Sequence, residues 1–171
     1  AHRYTVTCLK KADVNTFPSQ TFLEHFEANF SFLKAKQTAV IPHIGLPESL
    51  LSVRPYEKRD KMYMCHSGNL SSERNPELTF IAIRELIDEG YRSIQLDIMG
   101  YINEHTKLLI GKYDLKDHVR FVGSYPYMSA MQKMQEYDVL VLLEAVLKKG
   151  IFFASKFRDY AQLNRPILAM S

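Results

Sequence analysis

The chain of 171 residues contains only two cysteines. Cys8 and Cys65 are too distant in sequence for a metal-ligand spacing and too few for a disulfide framework, so a reducing cytosol is the simplest compartment. Long hydrophobic runs are missing as well. The longest clean one, residues 139–143, is far short of the ~20 residues that a membrane-spanning helix needs. There is little charge excess: 22 Lys+Arg against 19 Asp+Glu leave +3. With no long Lys/Arg block, nucleic acid is disfavoured as the main ligand. The opening residues are polar and charged, unlike a signal peptide. Neither G-x-G-x-x-G nor G-x-x-x-x-G-K-[ST] occurs, which removes the two commonest phosphate-loop fingerprints. The histidines are scattered without an i, i+4 pair for a metal. No Ser-His-Asp or Cys-His arrangement can be argued from spacing.

What remains is ordinary globular composition, 46% hydrophobic and 24% charged, enough apolar material to offset chain ordering. No internal repeat breaks the chain; extended and helical patterns alternate instead. Strands are expected over residues 13–17, 38–41, 62–66, 93–98, 119–122, 138–143 and 166–170. Helices are expected over 20–32, where Phe22, Phe26 and Phe30 recur, and over 105–113, 129–137 and 155–163. A further helix opens at Asn75-Pro76-Glu77 and stops at Gly90. The segment 93–98 alternates strictly, which predicts a strand covered on one face, whereas 138–143 reads as covered on both. Residues 48–60, with two prolines nearby and many charges, read as a solvated linker. The pattern predicts an α/β fold, a Rossmann-like doubly wound parallel sheet from residues 62–171, after a lead-in segment and linker of residues 1–61 with one helix. The last strand has no helix after it and the chain begins with Ala, so a truncated piece of a longer protein is expected.

In such a sheet ligands lie beyond the carboxyl ends of the strands. The loop 66–75 offers Gly68, where backbone can approach a ligand, and Arg74 just before a helix N-terminus, where a guanidinium can clamp phosphate oxygens. On residue types alone, a polar turn with a solvated arginine explains it more simply. The loop 144–156 ends in Ser155, a candidate cap, and Lys156, with Asp159 one turn on along the face of Ser155. An anion there with a carboxylate one turn in would suit a nucleotide; a capping Ser with solvated neighbours is again simpler. Met128, Met131 and Met134 read as core filler. His43 and His66 read as structural polar residues, and Tyr125 and Tyr127 as loop residues that could also face a base.

The order of these pieces resembles the nucleotide-binding half of a retaining GT-B glycosyltransferase, of the family that builds bacterial surface polysaccharides from nucleotide sugars. Ala12-Asp13-Val14 with Pro18-Ser19 is similar to that family's last N-domain strand, and Val40-Ile41-Pro42-His43 to its "v-I-P-n-G". His66-Ser67-Gly68-Asn69-Leu70 through Arg74-Asn75-Pro76 resembles "G-R-L…K-N-P". Ser155-Lys156-Phe157-Arg158-Asp159-Tyr160 with Asn164-Arg165-Pro166-Ile167-Leu168-Ala169 resembles "S-K-l-f-E-Y…G-K-P-I-L-A". Phe121-Val122-Gly123 and Tyr137-Asp138-Val139 resemble "f-l-G" and "a-D-v". The set runs across nearly all of the chain.

The resemblance implies a donor-binding domain for a UDP- or GDP-linked sugar, which is transferred with retention to a glycan or lipid-linked acceptor. Gly68 and Asn69 would lie beside the donor pyrophosphate, Arg74 where the family has a phosphate-binding Lys, and Asp159 where a Glu binds the ribose. Ser155 and Lys156 would open the phosphate-facing helix. Arg74 and Lys156 are the candidates for neutralising the leaving diphosphate. Asn69 stands where the family has Arg, and Ile151 where the first Glu of its paired-glutamate motif would stand. The resemblance implies no cofactor and no metal. The acceptor site would fall in an absent N-domain, so this piece would bind donor without turnover. A cytoplasmic location is expected, with peripheral association at the inner face of the membrane. A sugar-nucleotide epimerase of the same architecture and a non-catalytic α/β interaction module are the alternatives.

Overall fold

The structure, a computed structural model, describes residues 2–57, 59–145, 150 and 154–170. Ile151 lies outside them. The chain divides into two compact units, residues 1–44 with 148–155 and residues 45–147 with 156–171.

The first unit is built on aromatic packing. Helix α1 (His2–Lys11) has no fully buried residue, and Leu9 packs partly against the aromatic cluster. Strands β1 (Val14–Phe17) and β2 (Gln37–Val40) pair in parallel, joined through α2 (Gln20–Asn29). Ser19 caps α2, its hydroxyl accepting from the Phe22 amide at 3.2 Å. Phe22, Phe26 and Phe30 pack around Phe17, Leu23 and Leu33. The helix expected over 20–32 stops at Asn29. Phe30 leaves helical geometry (φ −134, ψ 75), and the chain tightens into a 3₁₀ turn over Ser31–Ala35.

The second unit carries a parallel sheet in the order β5-β4-β3-β6-β7. Its strands are β3 (Met62–Ser67), β4 (Ile94–Met99), β5 (Val119–Gly123), β6 (Val139–Leu143) and β7 (Ile167–Met170). This is the expected doubly wound α/β architecture. The helices between them are α3 (Glu77–Asp88), α4 (Glu104–Lys112), α5 (Tyr127–Met134) and α6 (Ser155–Ala161). Met64, Leu96, Ile98, Val119, Val141 and Leu143 from the sheet pack with Phe80, Ile83 and Ile87 of α3 and Leu109 of α4. The start of α3 shifts by one residue: Pro76 takes the cap position and Glu77 is the first helical residue, while the Asn75 side chain accepts from the Glu77 amide at 3.0 Å. Gly90, with φ +100, ends the turn after α3.

One strand corrects its expectation. All six residues of β4 are buried, Gln95 and Asp97 included. The alternation marks chemistry rather than exposure: Asp97 is paired inside the protein, accepting from Arg120 Nε and Nη2 at 2.9 and 2.8 Å and from the Tyr137 hydroxyl at 2.8 Å. Helix α5 also shifts, beginning at Tyr127 and ending at Met134, since Pro126 supplies its start and Gln135 turns inward to bond Arg54 and Ser52. Helix α6 ends two residues early, at Ala161. Among the described residues, no helix is long and apolar enough to cross a membrane.

Candidate functional site

From β3 the chain moves outward to β4 and β5 on one side, then returns to β6 and β7 on the other. The loops after β3 and β6 therefore part at a switch point, where an open parallel sheet leaves a crevice.

Backbone closeness shapes the first loop. The Gly68 amide donates to Met99 O at 2.7 Å and the Leu70 amide to Tyr101 O at 3.0 Å. Gly68 and Gly100 both have φ +149, a left-handed conformation that favours glycine. A Cβ at Gly100 would lie 2.4 Å from the Gly68 carbonyl oxygen, so the loops after β3 and β4 nest only because that atom is missing. Asn69 joins this nesting, its side-chain oxygen accepting from the Tyr101 amide at 2.9 Å. The Ser67 amide is satisfied from α6, by the Tyr160 hydroxyl at 2.8 Å.

Two cations meet above this loop. A Cβ at Gly68 would fall 2.1 Å from Lys156 Nζ, so the lysine arches over the glycine. Burial, and then the charge of Arg74, push the Lys156 ammonium below its ordinary range, while Glu144 pulls the other way. The backbone amide of Arg74 is held by the Ser71 hydroxyl at 3.3 Å. Its Nη2 stands 3.6 Å from Glu144 Oε2, and its Nε is buried with no partner among the described residues. A guanidinium presents a planar fork of donors; here the fork is loosely paired at one tine and unpaired at another.

Beneath them lies His66. Its Nδ1 donates to Val141 O at 2.9 Å across the switch point, because a carbonyl only accepts, and its buried Nε2 has no partner among the described residues. Burial pushes its pKa down to about 4, with Lys156 and Arg74 adding to the shift against the Val141 bond. The imidazole is therefore neutral at pH 7.

Gly68, Arg74 and Lys156 are thus brought together around His66 and Glu144. Asp159 is held separately, accepting from the Tyr127 hydroxyl at 2.7 Å and pairing with Arg158. Ser155 is exposed as the first residue of α6. In the sequence Glu144 only opens a loop and carries no signal of its own beyond that place, and His66 reads as a structural polar residue. Their signal was position alone, each at a strand end beside the switch.

Comparison with known proteins bears on the fold. No protein-family model and no curated protein sequence matches the chain. Solved structures do. The chain is similar to sucrose-phosphate synthase from Thermosynechococcus elongatus (TM-score 0.67, 19% identity, 94% of this chain and 41% of that one). It is also similar to Anabaena HepE in complex with UDP and glucose (0.66, 14%, 98% and 47%). A third is the pneumococcal O-GlcNAc transferase GtfA in complex with UDP and GlcNAc (0.62, 14%, 99% and 32%). The fold is that of one half of a GT-B glycosyltransferase. The chain spans between about a third and a half of the length of these structures.

Proposed function

We propose that the chain is the donor-binding half of a glycosyltransferase that takes a UDP- or GDP-linked sugar and transfers it with retention to a glycan or lipid-linked acceptor. The carrying observation is the Arg74 guanidinium, with its Nε buried and without a partner among the described residues, standing beside Lys156 and Gly68 at the switch point of the sheet. Two cations over a close-approach loop fit a diphosphate, and charge held in place before reaction stabilises a leaving diphosphate. Support comes from the structural neighbours with UDP and a sugar bound. In this reading Asp159 exchanges Tyr127 or Arg158 for a ribose hydroxyl, and Ser155 faces the phosphates. The acceptor belongs to the other half of the enzyme, and the reaction runs in the cytoplasm, at the inner face of the membrane when the acceptor is a lipid.

Calorimetric titration with UDP and with GDP tests the reading. Binding of one of them is expected, weakened roughly tenfold or more in Arg74→Ala and in Lys156→Ala, as for the loss of a charge-assisted hydrogen bond. No binding of either nucleotide or of its sugar-linked form, or binding untouched by both substitutions, overturns it.

A further inference from the structure

Resting on that donor reading, we infer that Glu144 makes the site prefer a sugar-esterified nucleoside diphosphate over the free diphosphate. Glu144 is the first residue past β6, and its amide donates to Met170 O at 3.0 Å, so its backbone is fixed by the β7 ladder. Its Oε2 lies 3.6 Å from Arg74 Nη2, with both side chains partly open to solvent. Glu73, the sequence neighbour of Arg74, is occupied with the Ser71 hydroxyl at 2.8 Å. Any oxyanion drawn onto the Arg74 fork therefore comes to rest beside the Glu144 carboxylate.

That carboxylate repels in proportion to the charge it meets. The terminal phosphate of a free nucleoside diphosphate carries close to two negative charges at pH 7, as a phosphate monoester does. Esterified to a sugar, the same phosphate carries one. The sugar also brings hydroxyl groups, which donate to a carboxylate. Glu144 is thus a poor neighbour for the product diphosphate and a good one for the intact donor. In a transferase, this difference favours loading of donor and release of product. Arg74 and Lys156 supply the attraction, and Glu144 sets which phosphate ester benefits from it.

The readout is a ratio of affinities, which general damage to the fold does not bias toward one ligand. Dissociation constants for UDP and UDP-glucose, and for GDP and GDP-mannose, are measured by calorimetry on the 171-residue chain and on Glu144→Gln and Glu144→Ala. In the unaltered chain the sugar-linked form is expected to bind more tightly. In both variants the free diphosphate gains on its sugar-linked form by roughly fivefold or more, the scale of one like charge about 4 Å away across water. An unchanged ratio in both variants overturns the role of Glu144 while leaving the donor reading intact. So does a free diphosphate that binds the unaltered chain more tightly than its sugar-linked form. Absence of binding by all four ligands to the unaltered chain overturns both.

Discussion

His66 is a titratable residue shut away from water. Its side chain is fully buried in β3, one nitrogen bonded to Val141 O and the other without a partner among the described residues. Below its ordinary pKa of 6.5 the unfolded chain takes up a proton that the folded chain refuses until about pH 4. The unfolded state then binds more protons, so stability rises with pH across this window and falls as pH is lowered through it. The shift corresponds to about 3 kcal/mol. Urea midpoints measured between pH 7 and pH 4.5 are expected to fall, and to fall less in His66→Gln. NMR of the imidazole Cε1 proton gives the direct check: a titration midpoint near 6.5 would rule the account out. The sequence shows His66 ending a strand, and the structural reading of it matches that burial. What the sequence hides is the neighbour across the switch, because Val141 is 75 positions away. Arg74, Gly68 and Lys156 were legible through loop and helix-start positions. Glu144 was not, since a carboxylate after a strand is unremarkable until a distant arginine is folded against it.

At the scale of elements, β4 shows how patterning misleads. Alternation of Ile94, Leu96 and Ile98 with Gln95 and Asp97 signals a half-open strand, yet β4 lies between β3 and β5 with both faces covered. A buried carboxylate is tolerated only where it is paired, and the register of the parallel ladder supplies the partner by setting Arg120 opposite Asp97. The arginine stays 54% exposed while Asp97 is 2% exposed, so its guanidinium closes the sheet face like a lid over the carboxylate. Replacing it leaves the buried carboxylate with the Tyr137 hydroxyl alone among the described residues. Arg120→Leu is expected to destabilise the fold by about 2 kcal/mol, less than for a fully buried pair because the guanidinium is half exposed. Arg120→Leu combined with Asp97→Leu should recover most of the loss. Urea denaturation of the two variants decides it: a double variant as unstable as the single one would show that Asp97 matters for its shape and not its charge. Strands and helices of the βαβ rhythm were readable because β3, β6 and α3 bury continuous apolar faces. Helix α1 was not legible in the sequence: its one face, with Val6 and Leu9, is short and only partly buried.

Across the second unit, the proposed donor site and the residues that fasten a strap lie at opposite ends of the strands. The carboxyl ends carry Gly68, Arg74, Glu144 and Lys156; the amino ends carry a strap. Residues 45–57 have little regular structure, yet side chains from the main fold fasten them. Gln162 both accepts from the Leu46 amide at 3.1 Å and donates to its carbonyl at 2.8 Å. Gln135 does the same for the Arg54 amide at 2.7 Å and the Ser52 carbonyl at 3.1 Å. Arg165, buried before β7, donates to the carbonyls of Arg54, Pro55 and Gln135 and lies 5.5 Å from the centre of the Tyr56 ring. A guanidinium surrounded by carbonyls is fully useful only while the strap stays in place. Arg165→Met keeps much of the apolar stem and removes the donors, leaving strap carbonyls unpaired. Hydrogen exchange at the Arg54 amide is then expected to quicken by tenfold or more, as local opening replaces a fastened state. Amides of β4 should quicken less, and nucleotide affinity at the opposite end of the strands should stay within about twofold, since sites without shared partners act nearly independently. If Arg54 and β4 amides quicken together, Arg165 holds the sheet itself. If affinity falls alongside them, the two ends of the strands are coupled and the separation of scaffold from site fails.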